Sequence, residues 1–291
     1  MTRRLPGPAL VVLAASLFGT IGTARVLGPD APAAGVGALR MLGAGLLLAL
    51  LARRAPVDTW RAEVRRPHTF LAGVGQALFQ LTFLAAVVST GVAVGTLVAI
   101  GSAPLLAGAV SRRVSAAWAL ATAVAVCGLA LLVVGGGGAR VSPLGMALAL
   151  GAGASYAGYT LATARALADG AQPGVTAAVA FCVAGVVLLP ALVLTDVRWV
   201  GSTSGLAMAA YLALVPTVLA YRMFTAGLRG IAPATASTLA LAEPVVATVL
   251  GVAVLGERLG ALGWAGAALV LAGLALAGRD AVVRHGERVR A

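Results

Sequence analysis

The segment PATASTLALAEPVVATVLGVAV, residues 233–254, is long enough to cross a bilayer and is free of charge except at Glu243. About 20 consecutive apolar residues span roughly 30 Å of hydrocarbon. If the segment is a membrane helix, it carries a carboxylate at depth, where an ionisable side chain is costly and generally faces a protein interior or a water-filled path. Pro244 follows directly and lacks the N–H that would continue a helical ladder. A charge beside an interrupted helix is how many transporters build a site at the midplane.

The rest of the chain has the same character. Hydrophobic residues make up 60% of it, charged residues 10%, and the mean hydropathy is +1.01, values outside the range of ordinary soluble domains. Windows of spanning length fall at 8–27, 32–52, 69–88, 91–110, 116–135, 144–167, 173–194, 205–226, 233–254 and 260–278. The reading is an all-α integral membrane protein with ten transmembrane helices and almost no chain left for a soluble domain. The first 33 residues imitate a secretory signal, with Arg3 and Arg4, an apolar run and Ala31-Pro32-Ala33. The run is long for a signal and has a counterpart later in the chain, so it is expected to remain as the first span.

The net charge of +12 comes entirely from arginine as the basic residue. With a cytoplasmic N-terminus, all the arginines except Arg25, Arg40, Arg140, Arg198 and Arg258 fall in or beside cytoplasmic segments. That bias follows the positive-inside rule and places both termini in the cytoplasm of a cell-membrane protein. The charge is therefore topological, and no separate basic module exists to carry nucleic acid. Cys127 and Cys182 lie within spans and read as small buried apolar side chains, with no metal site or disulfide implied.

Near the midpoint, Gly135 to Gly138, Arg140 and Pro143 interrupt the apolar pattern. They read as a flexible linker. The sequence on either side is weakly self-similar. Thr23-Ala24-Arg25 recurs as Thr163-Ala164-Arg165, Pro104 corresponds to Pro244, and Gly128-Leu129-Ala130-Leu131 recurs as Gly273-Leu274-Ala275-Leu276, all in the same order. Five spans per half is an odd number, so equivalent helices cross in opposite directions, which makes an inverted-topology repeat with its site between the halves.

Leu241-Ala242-Glu243-Pro244-Val245-Val246-Ala247, then Leu255-Gly256-Glu257-Arg258-Leu259 and Gly263-Trp264-Ala265-Gly266, resemble the end of an EamA-type repeat of the drug/metabolite transporter superfamily. Ala220-Tyr221-Arg222-Met223-Phe224 with Ala232-Pro233-Ala234 is similar to the preceding stretch of that family. Leu17-Phe18-Gly19-Thr20 and Ala38-Leu39-Arg40-Met41-Leu42 resemble its first two helices. The resemblance implies two inverted EamA domains and transport of small metabolites, often export. The expected organisation is a first repeat over 8–135, a linker over 136–143, a second repeat over 144–278 and a basic cytoplasmic tail over 279–291. The first half departs from the pattern: Ala103 precedes Pro104 where Glu243 precedes Pro244, and Arg112-Arg113 stands in the region of the Gly-Glu-Arg turn. Any coupling by carboxylate therefore rests on one asymmetric residue.

Few residues can line a path. Gln76 and Gln80 share a face of the third span, which Phe83 continues. Tyr156, Tyr159 and Thr163 trace a face of the sixth, and Tyr221 lies toward the cytoplasmic end of the eighth. Their competing reading is interhelical hydrogen-bond glue, or an interfacial anchor for Tyr221. Arg40, eight residues into the second span, either holds a substrate carboxylate or pairs with Glu243, or else snorkels outward. Glu243 is a candidate proton carrier, or else a structural group satisfying carbonyls freed by Pro244. Pro104 and Pro244 are expected helix breaks. Gly19, Gly22, Gly43, Gly45, Gly151 and Gly153 are expected to be packing contacts. Trp60 and Trp199 are expected to be interfacial anchors, and 52–68 a short amphipathic surface helix.

The leading expectation is thus a secondary carrier of a small organic solute working by alternating access, an exporter, with no cofactor and no metal. Its partners are the solute, membrane lipid and, on the coupled reading, a proton, with a homodimer left open. An uncoupled facilitator and a non-transporting structural or lipid-handling subunit are the alternatives. An intramembrane enzyme would need a nucleophile, an acid/base pair or a metal cluster at depth. With both histidines outside the spans and a single central acid, that set is missing.

Overall fold

The computed structural model describes residues 5–111, 114–135 and 142–290, with backbone alone for 92–93 and 284–290. Arg3, Arg4, Arg112-Arg113, Arg140 and the body of the Gly-rich linker lie outside the described residues. Helix is the only regular structure among the described residues.

The first span is α1 (Gly7–Phe18) and α2 (Thr20–Leu27), interrupted at Gly19. Next come α3 (Ala33–Ala52), the short α4 (Val57–Val64), α5 (Pro67–Thr90), α6 (Val92–Ser111) and α7 (Ala116–Gly135). The second half begins with α8 (Pro143–Ala168), α9 (Pro173–Val187) and α10 (Leu189–Leu194). It continues through α11 (Thr203–Ala213), a π-helical turn at Leu214–Leu219, and α12 (Ala220–Leu228). The chain closes with α13 (Pro233–Leu239), α14 (Ala242–Leu255) and α15 (Ala261–Arg290). The basic segment expected as a tail is thus helical through Arg290.

Eight of these stretches are long and apolar enough to cross a membrane. The two expected spans that are not among them have local causes. In α8 the apolar run is diluted by Ser155, Tyr156, Tyr159, Thr160, Thr163 and Arg165. Helix α9 stops after 15 residues, about 22 Å at 1.5 Å per residue, because Pro190 forces a break at Leu188.

Lipid tails are as apolar as leucine, so the bundle is held by close van der Waals approach rather than by expulsion of water. Small residues permit that approach. At Gly45, between α3 and α9, an added Cβ would come within 2.7 Å of the Cys182 nitrogen. At Gly266, between α15 and α7, it would come within 2.6 Å of the Gly128 carbonyl. Gly19 and Gly153 are equally tight, Gly43 and Gly151 make ordinary contacts at 3.8 Å, and Gly22 has nothing within 4 Å. Gly22 is therefore not a packing glycine.

The segment between α3 and α5 behaves differently from a free surface helix. Glu63 on α4 is 1% exposed, accepts a hydrogen bond from Thr69 Oγ1 and lies 3.5 Å from Arg66 Nε. Arg66 also donates to the Asp169 carbonyl at 3.1 Å, and His68 Nε2 lies 3.9 Å from the Asp169 carboxylate. These contacts fasten the loop between α3 and α5 to the one between α8 and α9. Trp60 and Trp199 are both half-buried. Cys127 is exposed on the outside of the bundle, contrary to the buried position expected, and Cys182 is half-buried.

Candidate functional site

Two interrupted helices meet at the centre of the bundle. In the ninth span the chain turns at Ala240 and Leu241, between α13 and α14. Pro244 cannot donate to the Ala240 carbonyl, and the N–H of Glu243 takes its place at 3.0 Å, a tighter turn than an α-helical one. Glu243 therefore sits in the first turn of α14. Gly19, the interruption between α1 and α2, lies against the Glu243 carbonyl. Pro104, expected to break its helix as Pro244 does, sits inside an uninterrupted α6. Its single missing donor does not interrupt the helix there.

A cavity of about 710 Å³ opens beside this crossing. Its walls come from α2, α3, α5 and the start of α14, and Arg25, Ala33, Ser89 and Thr96 stand toward its mouth. Arg40, Gln80 and Glu243 line it at depth. Arg40 Nη2 donates to Gln80 Oε1 at 3.0 Å. The amide can lie across α3 because residue 37 is glycine: a Cβ there would come 2.5 Å from Gln80 Nε2. Arg40 and Glu243 attract one another electrostatically but form no direct ion pair among the described residues. Each remains half-exposed to the cavity, so a cation and an anion are both presented to whatever enters. Arg40 does not snorkel to the interface.

The other predicted residues lie beyond the end of the cavity. Gln76 is fully buried and donates from Nε2 to Tyr221 Oη at 3.0 Å. Tyr221 is 5% exposed, so it is not an interfacial anchor. Its ring centroid lies 4.7 Å from that of Phe18, 4.5 Å from Phe181 and 5.7 Å from Tyr159. Phe224 touches Tyr156, Tyr159 and Tyr221, and Tyr156 reaches the cavity wall through Phe79, 5.6 Å away. Apart from Phe70 and Tyr211, every Phe and Tyr of the chain belongs to this continuous set of rings. Phe18, Phe79 and Phe83 of this set line the cavity, and Tyr156, Tyr159, Phe181, Tyr221 and Phe224 stand behind them as a packed seal outside its lining.

Sequence reasoning thus found Arg40, Gln80 and Glu243 in the cavity and Gln76, Tyr156, Tyr159, Thr163 and Tyr221 behind it. It missed Phe18, Phe79, Phe181 and Phe224, and the π-helical turn around Pro216, where Thr217 Oγ1 donates to the Leu212 carbonyl at 2.7 Å. A signal for the rings was present in their scarcity. With six Phe and four Tyr in 291 residues, any convergence of them is informative.

Comparison with known proteins agrees with this architecture. The EamA-like transporter family matches residues 143–279. The chain is 40% identical over 273 residues to the uncharacterized transporter YwfM of Bacillus subtilis (strain 168), covering 91% of this chain and 90% of that one. It is 35% identical over 267 residues to the threonine/homoserine exporter RhtA of Escherichia coli (strain K12), covering 88% and 85%. A crystal structure superposes with a TM-score of 0.80 at 20% identity, over 94% of this chain and 97% of the other, a likeness of fold.

Proposed function

The chain belongs to the EamA-like transporter family of the drug/metabolite transporter superfamily, and from that premise we propose that it exports a small polar organic solute by alternating access. It is a multi-pass membrane transporter; the solute, the direction and the coupling are the proposal. The observation that carries it is the cavity itself, lined by the charged side chains of Arg40 and Glu243 and backed by the ring cluster through Phe18, Phe79 and Phe83. Its volume lies within the range of small-molecule sites. A planar guanidinium fits a solute carboxylate, and the Glu243 carboxylate faces the same space as a partner for an amino group. That pair of charges suits a zwitterion such as the amino acids in the name of RhtA.

The topology proposed is ten spans, with α8 and α9–α10 as the sixth and seventh, both termini cytoplasmic, and two inverted repeats on either side of 136–143. In its support, α3 packs on α9, α6 on α13 and α7 on α15. Each pair joins equivalents of the two halves, as a two-fold relation between them requires. Glu243 is the proposed proton carrier, binding a proton when the solute leaves and releasing it when the other face opens. Membrane lipid surrounds the bundle, and a homodimer is the proposed assembly.

The test is a thermal-stability screen of the purified protein against a metabolite panel that includes L-threonine and L-homoserine, followed by proteoliposome flux of each hit with and without a pH gradient. Stabilisation and gradient-driven flux support the reading. Flux indifferent to the gradient identifies a facilitator. Absence of both, with a constant co-purifying partner, identifies a structural subunit and overturns it.

A further inference from the structure

Among the rings behind the cavity are buried hydroxyls without well-aligned hydrogen bonds. Membrane-helix threonines ordinarily donate to a carbonyl one turn back. Thr160, Thr176, Thr238 and Thr248 do so here, at 2.8–3.1 Å. Thr163 and Thr225 do not. Both are buried, at 1% and 0% exposure, and both face Tyr159 Oη and interact with it. Among the described residues none of these three oxygens makes a close, well-aligned hydrogen bond to a backbone carbonyl or to any other group. Tyr156 Oη and Gln76 Oε1, nearer the cavity, are also buried and unpartnered.

A buried polar group left without a well-formed hydrogen bond is destabilising. Phe in place of Tyr159 and Val in place of Thr163 or Thr225 would have nearly the same shape without that cost. A permanent seal has no need of the hydroxyls. As interhelical glue they are poor, because none of the three makes a well-aligned hydrogen bond.

The two-repeat topology proposed above points the same way. In it, Thr163-Ala164-Arg165, which repeats the tripeptide Thr23-Ala24-Arg25, is the latter's counterpart. Arg25 stands at the mouth of the open cavity, and in an inverted repeat its counterpart stands at the mouth of the opposite path.

Building on the carrier reading above, we propose that Tyr159, Thr163 and Thr225 form an uncharged, hydroxyl-lined subsite on the closed side of the ring cluster, where the hydrogen-bonding groups of the solute, with water, pair with these three side chains after leaving Arg40 and Glu243. No charged side chain belongs to the trio, so the subsite passes the solute on rather than holding it. Specificity by charge is confined to the cavity, and the second chamber reads hydrogen-bonding capacity alone.

The test is thiol accessibility in a background in which Cys127 and Cys182 are replaced by alanine. Thr163→Cys and Thr225→Cys are labelled with a membrane-impermeant thiol reagent in oriented vesicles, applied from the α4 side or from the mouth side. Thr122→Cys is the control, a buried threonine whose hydroxyl is paired with that of Thr238 at 2.8 Å. Both test cysteines are expected to label from the α4 side, faster than the control. Labelling no faster than the control, at only one of the two, or only from the mouth side overturns the proposal. Thr163→Val/Thr225→Val gives a second readout. A raised Tm with flux of the solute identified in the screen lowered about tenfold, the equivalent of one hydrogen bond, supports the subsite. A raised Tm with unchanged flux overturns it. Flux of the unsubstituted protein is measured in parallel, so a failure of the carrier reading is seen there and is not confused with a failure of the subsite.

Discussion

Gly19 packs directly against the backbone of Glu243, so closely that a Cβ on residue 19 would stand 2.6 Å from the Glu243 carbonyl oxygen and 2.9 Å from Val246 Cβ. Neither neighbour is a flexible side-chain end. The interruption of the first span is therefore what lets α14 carry its carboxylate into the cavity. Gly19→Ala is expected to destabilise the protein by ~1–3 kcal/mol through overpacking and to abolish flux. Gly22→Ala, with nothing within 4 Å, is expected to leave Tm unchanged. Thermal unfolding in detergent of the two variants checks this, and equal losses would refute the assignment.

Arg40 is held by Gln80 on one side and left open to the cavity on the other. Replacing Gln80 with Leu removes an acceptor from a charged donor, a bond worth about 1.5–3 kcal/mol, and frees the guanidinium to turn away. Solute-induced stabilisation is expected to weaken at least tenfold in affinity, and Arg40→Lys to do the same because an ammonium cannot reproduce the planar fork. Isothermal titration with the solute from the screen measures both, and unchanged affinity in Arg40→Lys would remove Arg40 from the site.

Glu243→Gln keeps the shape of the side chain and removes its titration. On the coupled reading, counterflow of solute persists while acceleration by a pH gradient disappears. Parallel vesicle assays with and without the gradient decide it, and gradient-driven flux in the variant would remove Glu243 as the proton carrier.

The α7/α15 pair rests on glycine. Gly266→Leu places a branched side chain where even a Cβ meets the Gly128 carbonyl at 2.6 Å. The expected cost is ~1–3 kcal/mol, read as a lowered Tm. Leu271→Ala, on a residue of the same helix that is 54% exposed, is expected to stay close to the parent.

Glu63 is the buried anion of the loop fastening. Glu63→Ala leaves Arg66 and Thr69 facing an empty site, and removing one partner of a buried pair costs about 3–5 kcal/mol. Arg66 is a fifth exposed, so the low end of that range or below is expected. Limited proteolysis between α3 and α5 is expected to accelerate, and an unchanged cleavage rate would show that the loop is held by other contacts.

Much of this architecture is local and was readable from the chain. The apolar lengths locate the eight long spans, and Pro190 and the polar face of α8 explain why two further segments are less apolar or shorter. Glu243 and Arg40 were visible as candidates because a charge within an apolar run is conspicuous whatever the fold. The same local reasoning erred on the prolines. Pro104 and Pro244 remove the same donor, yet only the ninth span turns, at Ala240 and Leu241, because a break depends on what the neighbouring helices leave room for. It also misplaced Cys127 and Tyr221, whose positions depend on helix rotation and depth.

What the sequence determined by itself is membership in the membrane, the family, and the short inventory of polar residues at depth, since each depends on composition or on a few consecutive residues. Which of those residues share the open cavity and which are sealed behind the rings was decided only by tertiary structure. Helices made so evenly of Ala, Leu, Val and Gly carry almost no stripe to mark their inward face. Their rotation is set by where backbones can approach, at Gly19, Gly45 and Gly266. Those contacts turn Gln80 toward the open cavity and Gln76, one helical turn away, into the ring cluster behind it.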